Sequence, residues 1–206
     1  TMDMMKHHGV AVNKEIRRSL KVLDMPYKTY DNKIDAYKNA KILLNHCKPD
    51  LLKIEISEKK LVVLKHLVEK KINVISHIGV TPQSYKNFNK IKVLGRTNKE
   101  KQDLLKLAKE SETLGAKAVL LECVTANTAK LITENISIPT IGIGASKYCD
   151  GQVLVFDDLI NLTTNDKKPK FVKNYLNFNK IAGNVVKKYN REVKLKKFPS
   201  TKFSYN

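Results

Sequence analysis

Leu51-Leu52-Lys53-Ile54-Glu55 reads as a short strand in which two charged residues alternate with apolar ones. Side chains two apart on a strand share a face, so Lys53 and Glu55 point one way and Leu52 and Ile54 the other. If the apolar pair faces a layer of helices, the lysine and the carboxylate point inward. The same design recurs along the chain. Asp24 closes the strand-like run Ser19–Leu23, His77 follows Asn73–Ser76, and Glu122 ends Ala116–Leu121. Each polar end follows a strand-length apolar run and precedes a helix-like segment, so the repeating unit delivers one polar group at a time. A β/α barrel assembles an active site in this way, from the carboxyl ends of several parallel strands.

The intervening text supports that class. Residues 1–13 read as the middle or end of a helix. Asp35–Cys47 carries Ala36, Ala40, Leu43 and Leu44 at helical spacing, with Pro49 as a stop. Glu58–Lys70 is amphipathic, with Leu61, Leu64, Leu67 and Val68 on its apolar side. Gly79–Thr97 turns loop-like around Pro82 and is a candidate active-site loop. Thr97 and Glu100 form a capping box ahead of a helix carrying Leu104, Leu107, Ala108 and Leu114, which Gly115 closes. A helix over Asn127–Asn135, strands over Thr140–Ile143 and Val153–Phe156, and a carboxyl-terminal helix over about 170–192 complete the run. The fold class is therefore α/β, a single β/α barrel domain over 1–206. It has six predicted strands where a closed (β/α)8 TIM barrel has eight, so the first two strands are expected to be missing at the amino end, leaving two long exposed edges.

Composition narrows the function. At 206 residues and 42% hydrophobic, the chain can bury a sizeable core. Its apolar runs are strand-sized, well short of the roughly 20 residues of a membrane helix, and residues 1–14 do not read as a targeting segment. No membrane association is expected. The net charge of +19 invites a nucleic-acid reading. However, arginine occurs only at 17, 18, 96 and 191, and the lysines are dispersed over every predicted helix and loop, the pattern of a solvated surface. Specific nucleic-acid binding is not expected. Cys47, Cys123 and Cys149 are odd in number and widely spaced, fitting neither a zinc site nor a disulfide framework, and imply a reducing compartment.

Among the polar ends, a lysine and a carboxylate sharing a barrel interior form either a catalytic pair or a salt bridge that plugs the barrel. Asp24, followed by Pro26, is either a ligand or a turn aspartate. Asp24 and Glu55 offer hard oxygen donors from adjacent strands, a partial magnesium site. Glu122 ends an apolar run, where apolar surroundings favour a carboxylate that takes a proton from carbon. His77 is either a hydrogen-bonded structural group or support for the site. The glycines of Ile141–Ser146 suit close backbone approach to a ligand or passage over the barrel mouth better than a nucleotide loop, because no helix is expected after them.

Taken in order, Val22–Tyr27, Leu51–Glu55, Ser76–Ser84, Val93–Arg96, Val119–Val124, Ile138–Ser146, Cys149–Val155 and Lys170–Tyr175 resemble the ketopantoate (3-methyl-2-oxobutanoate) hydroxymethyltransferase family over nearly the whole chain. The resemblance implies a magnesium-dependent barrel enzyme of pantothenate and coenzyme A biosynthesis. Its reaction transfers a one-carbon unit from 5,10-methylenetetrahydrofolate to 3-methyl-2-oxobutanoate through an enolate. It makes Asp24 and Glu55 metal ligands, Asp24 and Lys53 substrate-binding residues, and Glu122 the catalytic proton acceptor. It also implies a homo-oligomer, commonly a decamer; the reducing compartment expected from the cysteines is the cytoplasm or a mitochondrion. The family's second-strand motif, which supplies a further metal-binding aspartate and a substrate-contacting serine, has no counterpart in this sequence. Ile56, Ser57, Leu94, Ser146 and the stretch 87–90 also depart from the family's pattern, all around the expected barrel mouth. These departures keep open a second reading, a noncatalytic barrel homologue that serves as a structural or assembly partner.

Overall fold

Residues 1–84, 92–162 and 168–205 are described by the structure, a computed structural model. Two compact units divide the chain, Thr1–Val153 and Leu154–Asn206.

The first unit runs α1 (Met2–Glu15), β1 (Val22–Asp24), α2 (Lys33–Cys47), β2 (Leu51–Glu55), α3 (Leu61–Glu69), β3 (Val74–Gly79), α4 (Asn98–Thr113), β4 (Ala118–Glu122), α5 (Ala126–Asn135), β5 (Thr140–Ile143) and β6 (Gly151–Gln152). Its six strands form one parallel sheet in the order β1-β2-β3-β4-β5-β6, each pairing with the next in sequence. That sequential parallel winding is the expected barrel topology, with six strands among the described residues where a closed barrel has eight.

Alternation on the strands separates two faces. Leu52, Ile54, Val74, Ile78, Val119 and Leu121 are buried in one core together with Ala40, Leu43, Leu64, Leu67, Ala108 and Ile132 of the helices. Each such leucine or isoleucine contributes about 1.5–3 kcal/mol by leaving water. On the opposite face Ile75, Ala118 and Leu120 form a second, much smaller cluster, against which Leu51, Ile141 and Ile143 pack.

The helices follow from local sequence. Ala36, Ala40, Leu43 and Cys47 recur every three or four residues and are the buried positions of α2. The Thr97 hydroxyl accepts the Glu100 N–H and the Glu100 carboxylate returns to the Thr97 N–H, so α4 begins where the capping box predicts. Gly115, with φ at 94°, ends it in the left-handed region.

Several boundaries differ from the sequence reading. His77 lies inside β3, because Ile78 and Gly79 continue the ladder opposite Leu121 and Glu122. The last strand is Gly151–Gln152, not Val153–Phe156. Its pairing ends where Val153 donates to the Gly142 carbonyl, and Phe156 opens a helix. The segment 58–60 is a 3-10 turn that precedes α3. The edge strands β1 and β6 have only three and two residues, so the expected long open edges are short.

The second unit contains α6 (Phe156–Leu159) and α7 (Phe178–Lys194). The carbonyls of Leu159 and Ile160 accept the N–H groups of Tyr175 and Phe178. The Asn177 side chain caps α7 by accepting the Lys180 N–H, so the helix starts eight residues later than the expected Lys170. Among the described residues, no helix is long and apolar enough to cross a membrane.

Candidate active site

The face bearing the small apolar cluster also bears the polar ends of β1, β2 and β4 and the inward His77 of β3. Parallel register sets Asp24 beside Lys53, Glu55 beside His77, and Gly79 beside Glu122. Because Lys53 and Glu55 share the parity of Leu51, and His77 that of Ile75, all of these side chains project away from the helix layer. The inward orientation read from the alternation of Leu51–Glu55 therefore holds.

The side chains meet in a row across four strands. Lys53 Nζ is 2.8 Å from Asp24 Oδ2 and 3.4 Å from His77 Nδ1. His77, only 2% exposed, places Nε2 3.1 Å from Glu122 Oε2, close but not aligned for a linear hydrogen bond. An ammonium can only donate, so Nδ1 is the acceptor and the imidazole hydrogen sits on Nε2, facing Glu122. One buried ring thus connects the cation of β2 to the carboxylate of β4. The structure brings His77 into contact with Lys53 and Glu122, and Glu122 has a polar neighbour in place of the apolar surroundings expected from its strand.

Glu55 is held differently. Its carboxylate is 6% exposed and accepts the Gln83 N–H at 2.9 Å through Oε1 and the Ser84 hydroxyl at 3.3 Å through Oε2. Burial pushes its pKa above the ordinary value of 4.5, opposed by the Gln83 N–H, His77, Lys53 and the Ser84 hydroxyl. The buried Tyr30 hydroxyl accepts the Glu55 N–H at 3.3 Å and donates to Gln83 Oε1 at 2.8 Å; burial likewise drives its pKa up. Sequence reading missed Tyr30, Gln83 and Ser84. The only local signal was a polar cluster, Thr81–Ser84, directly after β3; the structure coils Pro82–Ser84 into a 3-10 turn. Of the expected loop over Gly79–Thr97, residues 85–91, including the departures at 87–90, lie outside the described residues.

Backbone geometry fixes the Glu122 end. Gly79 has φ at 93°, and a Cβ there would sit 2.4 Å from the Glu122 carbonyl oxygen, so only glycine fits. Cys123 turns left-handed at φ 50°, donating its N–H to Ile143 O at 2.9 Å. Its buried thiol is pushed up to about 11 by burial and then by the Glu122 charge, which makes it a poor nucleophile. All three cysteines are buried and free. Gly142 of the glycine-rich segment packs against Gln152 and Cys149, while Ser146 accepts the Tyr148 N–H at its hydroxyl.

Asp24 and Glu55 lie on neighbouring strand ends, Asp24 paired with Lys53 and Glu55 accepting from Gln83 and Ser84. Among the described residues, no group of three or more His, Cys, Asp and Glu side chains is arranged to hold a metal.

A sequentially wound parallel sheet whose strand ends present a cation, an imidazole and two carboxylates on one face defines a barrel-type enzyme. The family model for ketopantoate hydroxymethyltransferase matches residues 1–201, and the chain belongs to that family. It is 43% identical over 205 residues to the 3-methyl-2-oxobutanoate hydroxymethyltransferase of Pelagibacter ubique (strain HTCC1062), covering 100% of this chain and 78% of that protein. The proteins of the same name from Clostridium botulinum (strain Langeland / NCTC 10281 / Type F) and Enterococcus faecalis (strain ATCC 700802 / V583) are 41% and 39% identical over 206 residues; each match covers 100% of this chain and 74% of the relative.

Proposed function

We propose that this chain performs its family's reaction, moving a one-carbon unit from 5,10-methylenetetrahydrofolate to 3-methyl-2-oxobutanoate to give ketopantoate. The observation that carries the reading is the row Asp24–Lys53–His77–Glu122, which sets a carboxylate base and a fixed positive charge on either side of one buried imidazole. The substrate's C3 hydrogen is adjacent to a ketone, so its removal leaves charge that spreads onto the keto oxygen. Glu122 accepts that proton. His77, with Nε2 3.1 Å from the Glu122 carboxylate, lies beside the base, and Lys53 offers the charge that the developing oxyanion needs. The carbon freed of its proton attacks the methylene carbon of the folate. Water then supplies the hydroxyl of the product as tetrahydrofolate leaves.

The two carboxylates fit a hard divalent cation such as magnesium, which takes one or two carboxylates and completes its shell with water and substrate oxygens. Glu55 fits best, as a buried carboxylate facing burial costs that a cation would offset. When bound, magnesium supplies a Lewis acid for the substrate's keto and carboxylate oxygens. The second reading, a noncatalytic homologue, rests on the departures from the family's pattern at Ile56, Ser57, Leu94 and Ser146.

Deuterium exchange at C3 of 3-methyl-2-oxobutanoate, followed by NMR with magnesium and without folate, separates the two. Exchange by the chain that Glu122→Gln abolishes supports the enzyme. No exchange above the magnesium blank, either by this chain or by one extended at its amino end to the length of its relatives, with both folded, supports the noncatalytic homologue.

A further inference from the structure

The turn after β3 carries an arrangement that the row of catalytic groups does not use. Gln83 is tied at three points. Its Nε2 donates to the Met25 carbonyl at 3.1 Å, its Oε1 accepts the Tyr30 hydroxyl at 2.8 Å, and its backbone N–H donates to Glu55 Oε1 at 2.9 Å. The directions of these bonds are fixed by chemistry. A carbonyl cannot donate, so Met25 O must face the amide nitrogen, which turns the amide oxygen toward Tyr30. The Tyr30 hydrogen is then committed to Gln83, leaving the phenol oxygen free to accept the Glu55 N–H at 3.3 Å. Tyr30 is 1% exposed, so these bonds are sheltered from water, and no member can turn without leaving a partner unmatched.

The residues tied together are the ones whose spacing matters. Met25 directly follows Asp24 and its N–H donates to the Lys53 carbonyl at 2.9 Å, continuing the pairing of β1 with β2. Glu55 ends β2. Gln83 thus spans from the exit of β1 to the exit of β2 while itself belonging to the exit of β3. We infer that Gln83 is a positioning residue that sets the separation and orientation of the Asp24 and Glu55 carboxylates, with Tyr30 as the latch that keeps its amide in register. This rests on the cation reading given above, and it assigns a role to a residue that would itself touch neither cation nor substrate.

The probe is Mn²⁺ in place of magnesium, read from the electron paramagnetic resonance of the free ion during titration, so that binding is measured without turnover. Thermal unfolding in metal-free buffer is recorded beside it. Gln83→Met keeps the side-chain volume but makes no amide bonds; Tyr30→Phe removes only the latch. The expected result is a 10- to 100-fold loss of Mn²⁺ affinity in Gln83→Met, the usual cost of losing a group that orients a ligand. Tyr30→Phe should lose less, in a protein that still unfolds cooperatively. Unchanged affinity in a folded Gln83→Met, alongside wild-type binding that Glu55→Gln abolishes, overturns the positioning role and leaves the cation reading standing. Wild-type protein that binds no Mn²⁺ at millimolar concentration overturns the cation reading and the positioning role with it.

Discussion

The two faces of the sheet in the first unit are built from the same four central strands and share almost nothing else. The helix-facing side is a continuous apolar core in which Leu52, Ile54, Val119 and Leu121 are buried among helix side chains. The other side has a small apolar floor of Ile75, Ala118 and Leu120, and above it Lys53, Glu55, His77 and Glu122. Adjacent residues thus have opposite duties. Leu121 belongs to the core and Glu122 to the site, separated by one peptide bond and the half-turn of a pleat. Stability is concentrated on one face, and the other is free to hold charges that a packed core would reject.

Substitutions can break this division or sharpen it. The largest effect is expected from Glu122→Gln, which should lower C3 exchange by about 10²- to 10⁴-fold, the usual share of a general base, with little change in thermal unfolding. Leu121→Ala, next in the chain but on the other face, should do the reverse. A loss of about 2–5 kcal/mol in urea unfolding is expected from the cavity it leaves, and the activity per folded molecule should be retained. Equal losses of activity and stability in both variants would dissolve the distinction between the faces. Thr97→Ala, at the start of α4, should cost about 0.5–2 kcal/mol in the same unfolding assay by removing the cap, with no effect on exchange.

The smallest effect is one of pH. Because burial raises the Glu55 pKa in the folded state above its unfolded value, the stabilising contribution of its protonated form is complete below pH 4.5. That contribution is lost as pH rises through the higher folded value. In metal-free buffer, Glu55→Gln should therefore gain stability relative to the wild type as pH is raised from 4.5, measured as the difference in unfolding midpoint. A difference that stays constant with pH would mean that Glu55 is not held in a desolvated setting.

Much of this was legible in the sequence because it is written in local periods. The alternation in Leu51–Glu55 gave the correct inward pair, the Thr97 and Glu100 spacing gave the start of α4, and the polar strand ends gave the side chains that the structure brings together in one row. What failed to show was long-range or ambiguous. A histidine after apolar residues reads as the end of a strand, yet β3 runs on to Gly79, because an inward polar residue does not interrupt a ladder whose bonds are made by the backbone. Val153–Phe156 has strand composition, but its pairing had stopped at Gln152. Tyr30 and Gln83 are 53 positions apart in sequence, and nothing in their spacing discloses a shared hydrogen bond. The partner of Glu122 was likewise hidden, because His77 lies on another strand.

The contact at Gly79 has a consequence for anyone reading variants of this protein. A single methyl group at that position would press on the main chain of Glu122, shifting the proposed base without altering its carboxylate. Loss-of-function changes here would gather at a residue with no functional group at all, and a survey confined to acids, bases and ligands would pass over it.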